Sequence, residues 1–313
     1  MKTLLLTIIL LSASILIADD HASKKAILVT GASSGIGKSI AMDLAKRGYY
    51  VFAGARKDKD LKALDANDNM EGIRLDVTKQ DDINAAVKQI EKRGYGLYGL
   101  VNNAGVAILD PLIEVSEKDM DFLFDVNVYG PYRVTMAMAP LLIESKGRIV
   151  TIGSISGILS GTFFGPYSMS KHAMEAYTDA LAMEMAKFDV GVTLVQPGNY
   201  RSKIGESMVK RREAMEKAGH KSLYGDDIKQ MLSRVGSRQE MRDPQDVADA
   251  VAHAMDAGNT PYQRYMVVPN KTEAGWTIRK ALQELVELNH DQAFSYDRAE
   301  LIRRLDTALS SHQ

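Results

Sequence analysis

"AILVTGASSGIGKSIAMDLAKRG", residues 26–48, passes from a strand pattern to a helix pattern through a cluster of glycines. "AILVTGA" (26–32) is apolar without strict alternation, as expected for a strand buried on both faces of a parallel sheet. "KSIAMDLAKRG" (38–48) has helical length and period. Between them, glycines at 31, 35 and 37 let the backbone turn tightly and approach a phosphate closely, and the helix that follows presents its N-terminus to that anion. Gly31, Ser33, Ser34, Gly35, Ile36 and Gly37 are therefore candidate phosphate-loop residues.

Outward from this unit the same rhythm repeats. Apolar runs recur at 50–55 ("YVFAGA"), 72–77 ("GIRLDV"), 99–105 ("GLVNNAG"), 147–154 ("GRIVTIGS"), 190–198 ("VGVTLVQPG") and 265–269 ("YMVVP"). Helical patterns such as "QDDINAAVKQIEKRG" separate them. Strand and helix alternating in this way predict an α/β fold, a doubly wound parallel Rossmann-type sheet of about seven strands with helices on both faces. Ligands of such sheets bind beyond the C-terminal strand ends, near the switch in strand order. Residues 200–243 and 271–313 break the rhythm. With no Pro/Gly/Ser linker, the expected organisation is an N-terminal segment 1–22 and a single catalytic domain 23–313, with a Met-rich lid at about 199–243 and a helical tail at about 271–313.

Of 313 residues, 45% are hydrophobic and 25% charged, and the formal net charge is −1, so no global field attracts nucleic acid. Lys210, Arg211 and Arg212 are read as a solvated helix face. The chain has no cysteine, which excludes disulfides and thiolate metal sites, and its six histidines show no metal-ligand spacing, so no metal is expected. The N-terminus carries a nearly continuous apolar run over residues 4–18, between a signal-peptide core and a minimal anchor in length. Leu16 and Ala18 form only a mediocre cleavage site, and one lysine precedes the run while Lys24 and Lys25 follow it, so the expectation is an uncleaved membrane contact with the globular part in the cytoplasm. The alternative is export after signal cleavage.

The second strand ends "AGARK". Folds that prefer NAD place a carboxylate here for the adenosine ribose. This chain has Ala55, then Arg56 and Lys57. A guanidinium can pair bidentately with a 2′-phosphate that a carboxylate would repel, so NADP(H) is favoured over NAD(H).

"TGASSGIG", "NNAG" (102–105), "VNVYG" with Asn127, "IGSISG" with Ser154, "YSMSK" (167–171) and "QPG" (196–198) stand in the order and spacing of the short-chain dehydrogenase/reductase family, which the chain resembles over residues 25–270. Ser154 precedes Tyr167 by thirteen residues, as in that family. The resemblance implies that Asn127, Ser154, Tyr167 and Lys171 are catalytic, with Tyr167 as general acid/base. Lys171 would also hold the nicotinamide ribose, and Asn127 would tie Lys171 to a water-linked proton relay. Asp76 and Val77 would flank the adenine, and Asn103, Ala104 and Gly105 would line the cofactor. After Pro197 and Gly198 the family's carboxamide-binding Thr is replaced, and Ser202 is the nearest hydroxyl match. Gly153 stands where the family often has Ser, and Ser156 is read as a loop hydrogen bonder.

The chemistry explains these residue types. A free phenol, with pKa about 10, is a poor base at neutral pH, and a neighbouring ammonium favours its phenolate. Four residues apart on a helix, Tyr167 and Lys171 share one face. Ser154 would hydrogen-bond the substrate oxygen where negative charge develops. "GLYGLVNNAG" (96–105), "VTLVQPGNY" (192–200) and residues 264–289 further resemble the branch of retinol and hydroxysteroid dehydrogenases. That likeness implies a lipophilic alcohol or carbonyl substrate, which a Met-rich lid suits physically. A homo-oligomer, dimer or tetramer, is also expected. The alternatives are a 3-oxoacyl thioester reductase, which a basic patch for an acidic carrier would favour, and a non-catalytic dinucleotide-binding sensor, which loss of the Tyr or Lys would favour.

Overall fold

The apolar runs become strands because both faces of each are covered: every residue of Ala26–Val29, Tyr50–Ala55, Gly99–Asn102 and Arg148–Ile152 is buried. The computed structural model describes residues 24–236, 241–257 and 263–311. The N-terminal segment 1–22, with its apolar run 4–18, lies outside the described residues, among which no helix is long and apolar enough to cross a membrane.

Through Pro269 the chain forms one unit built on a seven-stranded sheet. In chain order its elements are β1 Ala26–Val29, α1 Gly35–Lys46, β2 Tyr50–Ala55, α2 Asp58–Asp65, β3 Met70–Arg74, α3 Gln80–Arg93, β4 Gly99–Asn102 and α4 Glu117–Phe124. There follow α5 Gly130–Glu144, β5 Arg148–Ile152, α6 Gly165–Met185, β6 Gly191–Pro197, α7 Ile204–Lys217, α8 Gly225–Gly236, α9 Gln245–Asp256 and β7 Gln263–Val267. The strands lie in the order β3-β2-β1-β4-β5-β6-β7 and every pairing is parallel. Register runs straight across the centre: Val29 faces Val101, and Val101 faces Val150. The order switches between β1 and β4, where the glycine loop leaves the sheet.

Two apolar clusters cover the two faces. Ile40, Leu44, Val247 and Val251 of α1 and α9 pack on one side with Val29 and Val101. Ile83, Ile90, Val134, Met138 and Leu142 of α3 and α5 pack on the other with Leu28 and Leu100. The strand ends differ from the apolar runs. β3 stops at Arg74, because Asp76 accepts from the amide and hydroxyl of Thr78 and turns the chain out of the sheet.

Residues 270–313 form a second compact unit with α10 Lys271–Asn289 and α11 Arg298–Ser310. Asn270 and Asp297 cap these helices, accepting from the amides of Glu273 and Glu300.

Candidate active site

The glycine loop is shaped by what it lies against. Gly31 has φ +68, and a Cβ there would come within 2.9 Å of the Ala104 backbone. The hydroxyl of Thr30 accepts from the amides of Asn103 and Ala104 at 2.9 and 3.0 Å. Asn103 Nδ2 returns hydrogen bonds to the carbonyls of Thr30 (2.8 Å) and Gly31 (3.3 Å). "NNAG" thus clamps the loop to the end of β4. Ser34 precedes α1 without a side-chain cap bond, so the first-turn amides, which no helical carbonyl serves, are not taken by Ser34. A glycine-turned loop leading into a helix N-terminus whose first-turn amides Ser34 leaves open fits a pyrophosphate.

Two other segments reach this loop. β6 ends with Pro197 in register with Val267, and the Gly198 amide donates to the Val267 carbonyl at 2.8 Å. The chain then swings back so that a Cβ at Gly35 (φ +55) would lie 3.2 Å from Ser202 Cβ. At the β2 and β3 ends, Arg56 is exposed, with Nη1 3.9 Å from Asp76 Oδ2, and its carbonyl accepts from Arg74 at 2.7 Å. Val77 is buried, with Gly130 so close that a Cβ there would meet Val77 Cγ2 at 2.6 Å.

Ser154 follows β5 and caps a short helical turn, Ile155–Gly157. The Ser156 amide donates to its Oγ at 3.1 Å. That bond fixes Oγ as an acceptor and leaves the hydroxyl hydrogen to point elsewhere. Ser156 lies within this turn, and its amide orients Ser154.

Tyr167 and Lys171 lie one turn apart on α6. Lys171 is 6% exposed, donates to the Ile152 carbonyl at 2.9 Å, and places Nζ 5.7 Å from the centroid of the Tyr167 ring. Burial pushes its ammonium down to about 8, against a smaller opposing pull from Glu175. Asn127 sits in a π-helical turn, Asp125–Tyr129, between α4 and α5, a rare insertion frequent at functional sites. Its amide bridges both backbone groups of Val106 (2.8 and 2.9 Å) and donates to Ser170 at 3.0 Å, beside Lys171 in sequence. Gly105 adjoins it, a Cβ there falling 3.5 Å from Asn127 Oδ1.

Apolar groups surround Tyr167. It packs in a cluster with Leu109, Phe163, Phe164, Ile204, Met208, Tyr224 and Met231, so residues of α7 and α8, in the expected lid segment, pack with this residue of α6. Phe163 holds φ +65, a strained conformation for a bulky residue, with its carbonyl accepting from the Asp110 amide. Met174 is buried, whereas Met169 is about half exposed.

Two features depart from the sequence reading. Arg212 is not solvated. It is buried on α7 with Met208 and pairs with buried Asp110 at 3.4 Å and with Glu216 at 3.2 Å. Only Lys210 of that basic run is fully exposed, since Arg211 pairs with Asp119. Glu175, which the motifs do not mark, lies beneath the Ser154 loop.

A doubly wound sheet with a phosphate-shaped loop and a Ser–Tyr–Lys set at its C-terminal edge defines a dinucleotide-dependent type of oxidoreductase. The family model described as short chain dehydrogenase matches residues 25–213, and the chain belongs to this family. It is 33% identical over 268 residues to mitochondrial D-beta-hydroxybutyrate dehydrogenase of Mus musculus, covering 79% of this chain and 77% of the relative. It is 32% identical over 273 residues to retinol dehydrogenase 16 of Homo sapiens, covering 83% of each. Among solved structures, a short-chain dehydrogenase from Streptomyces avermitilis superposes with a TM-score of 0.68 at 30% identity, covering 87% of this chain and 99% of that one. An actinorhodin polyketide ketoreductase variant with NADPH gives a TM-score of 0.65 at 29% identity, covering 79% and 97%.

Proposed function

We propose that the chain is an NADP(H)-dependent oxidoreductase that interconverts a lipophilic alcohol and its carbonyl, with Tyr167 as general acid/base. The observation that carries this is the buried Lys171 ammonium, 5.7 Å from the centroid of the Tyr167 ring, a positive charge near enough to favour a phenolate. When bound, the nicotinamide supplies or accepts the hydride. Tyr167 exchanges a proton with the substrate oxygen. Lys171 stabilises the phenolate, and Ser154, its Oγ fixed by the Ser156 amide, donates to the same substrate oxygen as charge develops there.

The apolar surroundings of Tyr167 support a lipophilic substrate, of the kind named in the retinol dehydrogenase relatives. Arg56, exposed and 3.9 Å from Asp76, supports a cofactor with a 2′-phosphate. Residues 4–18 support membrane attachment, and Tyr132 and Met136, exposed on α5, support a homo-oligomer. A panel of steroid ketones, aldehydes and acyl thioesters with purified protein and NADPH, read at the nicotinamide absorbance, tests the reading. Turnover of the first two classes is expected. Turnover of thioesters alone would replace the substrate class, and turnover of none would leave a binding protein. Fractionation with N-terminal sequencing tests the attachment, and a soluble product starting near Asp19 would refute it.

A further inference from the structure

Glu175 lies on α6 four residues beyond Lys171, on the same face. Its carboxylate touches three other elements. Oε1 accepts from Gln196 Nε2 of β6 at 3.0 Å, and Oε2 accepts from Arg264 Nε of β7 at 3.1 Å. Oε1 is also pressed on the Ser154 loop: a Cβ at Gly157 would come within 2.4 Å of it, and one at Gly153 within 3.6 Å. Arg264 is itself tied to Asp179 of α6 at 2.9 Å. Among the described residues, the charged groups facing Glu175 are Lys171 and Asp179 from its own helix and Arg264 from β7. Burial pushes the carboxyl up, and Gln196 and Arg264 pull it down. Lys171, in turn, is anchored on the Ile152 carbonyl, two residues before Ser154.

We propose that Glu175 is a positioning residue of the active site, whose carboxylate, braced by Gln196 and Arg264, holds the Ser154 loop and the Lys171 ammonium in the arrangement that serves Tyr167. A surface ion pair between α6 and β7 could form anywhere along the helix. This one is wedged under the loop that carries Ser154, at glycines whose missing side chains make room for it. It supplies the negative charge that offsets part of the cost of burying Lys171. The inference rests on the function proposed above.

The test follows Lys171 directly. In protein labelled with 13C-lysine, the Lys171 resonance is the one lost in Lys171→Met. Glu175→Gln keeps the size and removes the charge, so the Lys171 midpoint should fall by about one pH unit. The pH profile of kcat/KM should move to lower pH with it, while Glu175→Asp stays near the wild type. Arg264→Gln, which removes an opposing positive charge, should move the midpoint the other way. In Glu175→Gln, either quantity staying at its wild-type position overturns the proposal. If Glu175→Gln does not fold, Arg264→Gln decides: with the brace removed kcat/KM should fall, and a wild-type kcat/KM overturns the proposal. Near-wild-type turnover in Tyr167→Phe would instead sink the functional reading, with the Lys171 midpoint still reporting on Glu175.

Discussion

The side-chain amide of Asn103 lies so close to Gly37 that a Cβ on the glycine would stand 2.2 Å from Nδ2, and 2.4 Å from the Gly31 carbonyl oxygen. The loop after β1, the end of β4 and the first turn of α1 meet there with no room for a methyl group.

Gly37→Ala must therefore push the Asn103 amide off the loop. The expected destabilisation is about 1–3 kcal/mol in urea unfolding, the usual cost of overpacking. Dinucleotide affinity, read by fluorescence titration, should fall at least about tenfold, because the cradle itself is displaced. Wild-type values for both would show that the loop yields freely.

Tyr167→Phe keeps the ring's packing and removes only the ionisable hydroxyl. Turnover should fall by about 10²–10⁴-fold, the usual contribution of general acid–base catalysis, with cofactor affinity nearly unchanged. A rate near wild type would remove Tyr167 from the proposed role.

Arg56→Asp places a carboxylate where a 2′-phosphate would sit and where a free 2′-hydroxyl could be bonded. The NADP to NAD ratio of kcat/KM should fall by at least about tenfold, roughly 1.4 kcal/mol. An unchanged ratio would move the phosphate contact to Lys57 or Ser33.

Lys171 makes stability depend on pH. Its ammonium titrates at about 8 in the folded protein against 10.5 ordinarily, because burial disfavours the charge. Between those values the unfolded chain holds a proton that the folded chain has lost, so this group's contribution to stability rises with pH. Below the folded value the buried ammonium exacts its full penalty. In cofactor-free protein, the stability of the wild type relative to Lys171→Met should therefore increase from pH 8 to pH 10.5 in urea melts. A constant difference would mean that Lys171 titrates normally.

The fold was legible because strands buried on both faces announce themselves as apolar runs, and the candidate site residues could be named because their motifs are local. What stayed hidden depends on partners distant in sequence. Arg212 reads as a surface charge within "KRR", yet it falls on the same buried stripe of α7 as Gly205 and Met208, and its partner Asp110 is 102 residues away. The spacing to Gly205 and Met208 was the available clue. Glu175 stands at the i+4 position from Lys171, but Arg264, which marks it as more than a helix-face carboxylate, is 89 residues on. The exit of Asp76 from β3 is different: its partner Thr78 is only two residues on, so the turn signal was local, in the Asp-x-Thr that follows the apolar run.

The π turn at Asp125–Tyr129 limits how this gene can change in length. One extra residue there shifts the phase between α4 and α5 by about 100°, the angle per residue of an α-helix. Leu123 on one side and Val134, Met138 and Leu142 on the other are buried only with that phase in place. Deleting a single codon between 125 and 129 would straighten the helix and turn one of those stripes toward water, so insertions and deletions accepted in surface loops have no counterpart here.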